Sequence, residues 1–237
     1  MGVDRASLEV PGILRLAGDQ IRLIIPDLRG HGQSGTSSIT EYTHDTWVGD
    51  VRALVAHVGL SSVALLGHSY GGFLALEYAR RWPETLTHLV LVATSAGPVR
   101  AQMPAANDDA TLREQFRALW PHFFSQAEKH WDIFNAISFS AQPYNAAFGH
   151  ELPKYDVRDV IRALDVPMLL IVGRDDAYLP DMESLAANAK NARLRVLDGA
   201  GHFPFVEAEE EFVTEVTSFL NAARAARPHG EGTGSRP

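Results

Sequence analysis

The sequence predicts an α/β protein with a mostly parallel sheet flanked by helices, and three observations carry that prediction. Five short apolar runs, "IRLIIPD" (21–27), "VALLG" (63–67), "LTHLVLVATS" (86–95), "VPMLLIVG" (166–173) and "LRVLDG" (194–199), end in Gly, Asp or Ser. Near-continuous apolar runs of this length suit parallel strands covered on both faces. Helical patterns separate them, as a crossover between parallel strands requires. Hydrophobic residues make up 46% of the 237 positions, enough for one sizeable core and little for two.

The helices follow from spacing and punctuation. Residues 45–59 place Val48, Val51, Leu54, Val55 and Val58 on one face and end at Gly59, which suits a C-terminal cap. Residues 71–82 form a second helix that stops before Pro83, and 207–226 form a last one with Phe212, Val216, Phe219 and Ala223 on one stripe. The segment 100–165 breaks the alternation. It offers no convincing strand, yet holds Phe116, Leu119, Trp120, Phe123, Phe124, Trp131, Phe134, Phe139, Tyr144 and Phe148. This reads as a helical cap insertion over one end of the sheet, with most of these residues forming its own core. The tail "RPHGEGTGSRP" has little apolar content to bury and is expected to be disordered. The predicted organisation is a core of residues 1–99 and 166–226, a cap of 100–165 and a tail of 227–237.

Composition excludes several function classes. Twenty-nine acidic against 21 basic residues give a net charge of -8, with no basic run to neutralise phosphates, so nucleic acid is not an expected partner. Cysteine is absent, which removes disulfides and thiolate metal sites. The ten histidines show no metal-ligand spacing, so neither metal nor cofactor is expected. No run reaches the ~18 apolar residues of a membrane span, and the start, "MGVDRASLEVPG", has no signal-peptide run. A soluble, cytoplasmic protein without a membrane partner is expected. Oligomeric state is not legible.

The chemistry begins at Gly67-His68-Ser69-Tyr70-Gly71, a Gly-x-Ser-x-Gly pattern between the strand "VALL" and the helix "GFLALEYARRW". Such a turn strains the serine backbone, lifts its hydroxyl clear of the sheet and leaves the Tyr70 N–H at a helix N-terminus as an oxyanion donor. The flanking glycines are expected to remove colliding side chains. A serine needs a histidine to take its proton and a carboxylate to orient that histidine. "LLIVGRDDAYLP" puts Asp175 and Asp176 past one strand, and "RVLDGAGHFPFVE" puts His202 past the next. All then fall beyond the carboxyl ends of the strands, where open α/β sheets bind ligands.

These stretches, with "PDLRGHGQSG" (26–35), "YDVRDVIRALDVPMLLIVGRDDAYLP" (155–180) and "GAGHFPFVEAEEEF" (199–212), resemble the α/β-hydrolase superfamily from Ile21 to about Ala222, and in detail its proline iminopeptidase branch. The resemblance implies the α/β-hydrolase fold, Ser69 as nucleophile and His202 as base. Its Gly-x-x-Asp-x-x-x-Pro register, set by Gly173 and Pro180, implies Asp176 as the acid and Asp175 as a solvated neighbour. His31 is expected to support its loop by polar contacts and His68 to pack behind the turn. The implied reaction is acyl transfer on a small amide or ester, a small-molecule or short-peptide substrate. A prolyl aminopeptidase is the first reading and a carboxylesterase or lactonase the alternative. Cap residues Glu114, Glu128, Glu151, Asp132, Trp131 and Phe148 are candidates for substrate binding, the acids for a substrate ammonium.

One departure stands out. Members of this branch precede the "PDLRGHG" strand with three further strands and a His-Gly loop that supplies the second oxyanion N–H. Here the sheet is expected to lack those strands, with Gly2 as a remnant of the loop. The strand of 21–27 would then face 63–67 across a gap. The expectation is that the native start lies upstream. Otherwise the chain is a catalytically impaired pseudoenzyme or an interaction protein.

Overall fold

The computed structural model describes residues 2–99 and 104–225. The expected tail of 227–237 lies outside them. Four strands, β1 (Val63–His68), β2 (Leu86–Val92), β3 (Met168–Gly173) and β4 (Ala192–Leu197), pair in parallel in the order β1-β2-β3-β4. Side chains alternate between two cores, as a two-residue period dictates. Leu89, Leu91, Met168, Leu170 and Val172 enter one apolar cluster; Val90, Val92, Leu169 and Ile171 enter the other.

The first cluster is closed by α2 (His44–His57), α3 (Tyr70–Arg81), α7 (Arg158–Ile161) and α8 (Leu179–Asn188). Helix α2 starts where the Thr43 hydroxyl accepts the Thr46 N–H at 3.2 Å and ends at Gly59, whose φ of 74° supplies the expected cap. Its Trp47 and Val48 are fully buried, and Trp47 Nε1–H donates to the Arg29 carbonyl at 3.1 Å. The second cluster is closed by α1 (Pro11–Leu14), α9 (Pro204–Glu207) and α10 (Glu209–Ala225), which buries Phe212 and Val216 as its stripe predicts. Side-chain packing at Ala223 lies outside the described residues.

Between β2 and β3 the described residues form α4 (Asp109–Leu119), α5 (Trp131–Ala136), α6 (Ala141–Ala146), then α7, and short turns, with no strand ladder. Trp120, Phe124, Phe134, Phe139 and Tyr144 are buried, while Phe116, Phe123, Trp131 and Phe148 are half-buried. This packing extends beyond the segment between β2 and β3: Phe124 stacks on Phe203 at 4.9 Å, and Trp120 lies 5.7 Å from the same ring.

One predicted strand is corrected. Residues 21–27 carry no ladder; Ile21 makes a single antiparallel bridge to Gly18 and nothing more. The alternation of a strand is present, with Leu23 and Ile25 against the second cluster and Ile24 exposed. A strand nonetheless exists only through its hydrogen-bonded partner, and none lies beside this segment among the described residues. The expected gap is therefore an open edge along β1, whose Leu65 and Leu66 are only half-buried.

Candidate active site

Ser69 sits between the end of β1 and the first residue of α3, with φ 51° and ψ -119°. Ser69 and Ala93 are the non-glycine residues at positive φ among those described, a conformation costing ~1–3 kcal/mol. Hydrogen bonds hold it: the Ser69 N–H donates to the Val92 carbonyl at 2.8 Å, and the Ser69 carbonyl accepts from Thr94 Oγ1–H at 2.8 Å and Gly72 N–H at 2.9 Å. The Tyr70 N–H, at the start of α3, has no acceptor among the described residues and carries the positive end of the helix dipole.

The glycine expectation is half right. A Cβ on Gly67 would lie 2.3 Å from the Gly71 carbonyl oxygen, whereas one on Gly71 would meet nothing within 4 Å. The tight approach falls instead to Gly72, where a Cβ would lie 2.4 Å from Thr94 Oγ1. Gly67→Ala is expected to destabilise by about 1–3 kcal/mol or more, because the clash is with backbone. Gly71→Ala should leave the thermal midpoint unchanged or slightly raised, a contrast that thermal melts of the two variants would expose.

Asp176 and His202 arrive from the ends of β3 and β4. His202 Nδ1 lies 3.0 Å from Asp176 Oδ2 and 3.3 Å from Oδ1, and both side chains are buried. Asp176 Oδ1 also accepts the Tyr178 N–H at 3.0 Å. Burial pushes the Asp176 carboxyl up, but the His202 hydrogen bond and the His202 charge outweigh it and hold the group below its usual value. The acid therefore stays ionised and fixes Nδ1–H, leaving Nε2 as the free face of the ring. No hydrogen bond joins Nε2 to the Ser69 hydroxyl here, a contact that commonly tightens only in a substrate complex. Tyr178 stacks on the imidazole at 5.7 Å and 27°, and Phe123 covers it at 5.4 Å.

Two further histidines are packed inside: His68 against His202, and His31, buried, within its own loop. His68 Nε2 lies 2.7 Å from the His202 carbonyl, to which it donates as a neutral ring; burial and then neighbouring His202 push its pKa down to about 3. His31 Nδ1–H donates to the Arg29 carbonyl at 3.1 Å and Nε2 accepts the Gly2 N–H at 3.1 Å; burial pushes its pKa down to about 4. Both rings are held below the ordinary value of about 6.5, so the unfolded chain binds more protons across that interval. The stability they confer is complete above pH 6.5 and is lost as the pH falls toward 4 and then 3. Between pH 7 and pH 5, His31 alone should cost about 2 kcal/mol, with His68 adding in the same direction. The urea midpoint at the two pH values checks this; equal midpoints would contradict it.

The other predicted site residues are placed as follows. Gly2 is corrected as an oxyanion donor, since its N–H is taken by His31. Glu151 Oε2 accepts the His44 N–H at 2.8 Å at the start of α2. Phe148 lies 6.2 Å from the Tyr70 ring, one residue from Ser69 in the chain. Trp131 packs into the aromatic cluster of Trp120 and Phe134, and Asp132 and Glu128 are exposed. Asp175 is more than a solvated neighbour: its Oδ2 accepts Ser125 Oγ–H at 2.6 Å. Sequence reasoning missed Thr94 and Glu207, both of which act on distant backbone groups through no recognisable spacing.

A parallel sheet whose first described strand ends in a serine on a strained turn, with a His–Asp pair beyond two later strand ends, is the architecture of an α/β hydrolase. The chain belongs to the alpha/beta hydrolase family, whose model matches residues 4–215. It is 29% identical over 232 residues to 2-hydroxymuconate semialdehyde hydrolase of Pseudomonas sp. strain CF600, covering 86% of this chain and 78% of that protein. It is 27% identical over 240 residues to proline iminopeptidase of Lactobacillus helveticus, covering 86% and 81%. Its fold is similar to an esterase from Thermogutta terrifontis, with a TM-score of 0.77 and 26% identity over 93% of this chain and 86% of that one. Among the described residues no helix is long and apolar enough to cross a membrane.

Proposed function

We propose that the chain is a serine hydrolase that cleaves small carboxylic esters through an acyl-enzyme on Ser69. The observation that carries this reading is the buried His202–Asp176 pair, set at 3.0 Å beyond the strand ends where Ser69 turns. Ser69 Oγ attacks the ester carbonyl as His202 Nε2 takes its proton; Asp176 holds the tautomer and steadies the imidazolium. The Tyr70 N–H donates to the oxyanion. His202 then protonates the leaving alcohol, and water, deprotonated by the same ring, releases the acid.

Ester chemistry is preferred over aminopeptidase chemistry because an N-terminal ammonium needs a carboxylate to receive it. Glu151 is engaged by the His44 amide, Glu114 pairs with Arg117 on the surface, and Asp132 is exposed. Beside Asp176, the groups against His202 are the rings of His68, Phe123, Phe203 and Tyr178, and His68 is neutral. The similarity to the Lactobacillus enzyme favours prolyl aminopeptidase as the second reading.

Assay on p-nitrophenyl acetate and butyrate beside a prolyl arylamide separates the two. Ester turnover without arylamide turnover is expected. The reverse result establishes the second reading. Absence of both, with no fluorophosphonate label on Ser69, rejects hydrolysis altogether.

A further inference from the structure

The peptide of His202 is gripped on both sides. Its N–H donates to the Phe123 carbonyl at 2.7 Å, and its carbonyl accepts from His68 Nε2–H at 2.7 Å. Thus the candidate base hangs between the inserted segment and the turn that carries Ser69. Beside this grip stands a second one. Glu207, on α9, accepts the Gly201 N–H with Oε2 at 2.8 Å and the Gln126 N–H with Oε1 at 3.0 Å. One carboxylate therefore spans the loop of His202 and the inserted segment. The Ser125–Asp175 hydrogen bond makes a third link from the same segment, to the residue next to Asp176.

Local packing leaves little slack in this assembly. A Cβ on Gly201 would lie 2.7 Å from the Phe123 carbonyl oxygen, so the two backbones meet at the limit of approach. The Phe123 ring lies over the imidazole, and Phe124 stacks at 8° on Phe203, the next residue after the base. Residues 123–126 and 201–203 are thus one mechanical unit, and the Ser69–His202 contact, unmade here, is the distance this unit sets.

We infer that Glu207 is a positioning residue for His202, acting through the Gly201 and Gln126 amides to fix the ring relative to Ser69. Carboxylate suits this place because two N–H donors approach its two oxygens separately; an amide side chain offers one acceptor and alanine none. The inference rests on the hydrolase reading above. Misplacing a catalytic group by about 1 Å costs on the order of 10²-fold in rate.

The test measures kcat, KM and the rate of fluorophosphonate labelling for the wild type, Glu207→Gln and Glu207→Ala. Glu207→Ala should lower kcat by about 10- to 100-fold with KM within twofold, and Glu207→Gln should fall between it and the wild type. Labelling of Ser69 should slow in the same order. A merely structural role predicts kcat per folded molecule equal in all three, and that result overturns the proposal. Should Glu207→Ala fail to fold, Ser125→Ala and Asp175→Ala loosen the same unit at exposed side chains. Each should lower kcat several-fold, and unchanged kcat in both overturns the proposal equally. A wild type that is neither labelled nor active on esters rejects hydrolysis and this inference together; an active wild type matched by its variants rejects the inference alone.

Discussion

Ser69→Ala is expected to lower ester turnover by about 10⁴- to 10⁶-fold while leaving the fold intact. The activity loss follows from the attacking atom itself, since among the described residues no hydroxyl is hydrogen-bonded to the His202–Asp176 pair that could take the place of Ser69. The fold survives because the bonds that fix the turn run through the Ser69 main chain to Val92, Thr94 and Gly72. Alanine at φ 51° is as strained as serine, so the thermal midpoint should not move. Ser69→Gly, by contrast, relieves the strain and should raise stability by about 1 kcal/mol while remaining inactive. Initial rates and melts of the three proteins check both halves. Activity retained by Ser69→Ala would remove the nucleophile from its place in the proposal.

Asp176→Asn should cost about 10⁴-fold in kcat. The substitution changes almost nothing in shape, and its oxygen can still accept the Tyr178 N–H. It changes which imidazole nitrogen carries the proton. An amide facing Nδ1 presents N–H₂ as readily as oxygen, and donation to Nδ1 leaves the proton on Nε2, where it cannot serve as base. Asp175→Asn is the control, because Asp175 meets Ser125 rather than the imidazole, and its loss should stay below about tenfold. Equal losses in the two variants would mean that the acid had been misassigned.

The contrast between what the sequence foretells and what it conceals is physical. The strands ending at His68, Val92, Gly173 and Leu197 are legible because an apolar run buried between two cores has few other ways to fold. Residues 21–27 carry the same signal in their alternation, but a ladder is a relation between two segments, and one segment cannot announce its partner. Asp176 and His202 are legible because their motifs set them past strand ends. Glu207 and Thr94 are hidden because a side chain that satisfies a remote amide or carbonyl needs no periodicity of its own. The requirement for glycine at position 72 rather than 71 depends on where Thr94 lies, which no local pattern encodes.

The four strands run in chain order across the sheet, yet the groups that would act together come from its first, third and fourth members. Every pairing between them is parallel and must wait for a long crossover to close. No fragment of the chain can assemble the serine, acid and base ahead of the rest. During folding, helices and the central pair of strands can form before the proposed site exists, and the competence proposed for it is gained at the last docking event. By the same logic it is forfeited at the first loosening of β4, so loss of activity should be an early sign of damage to this molecule.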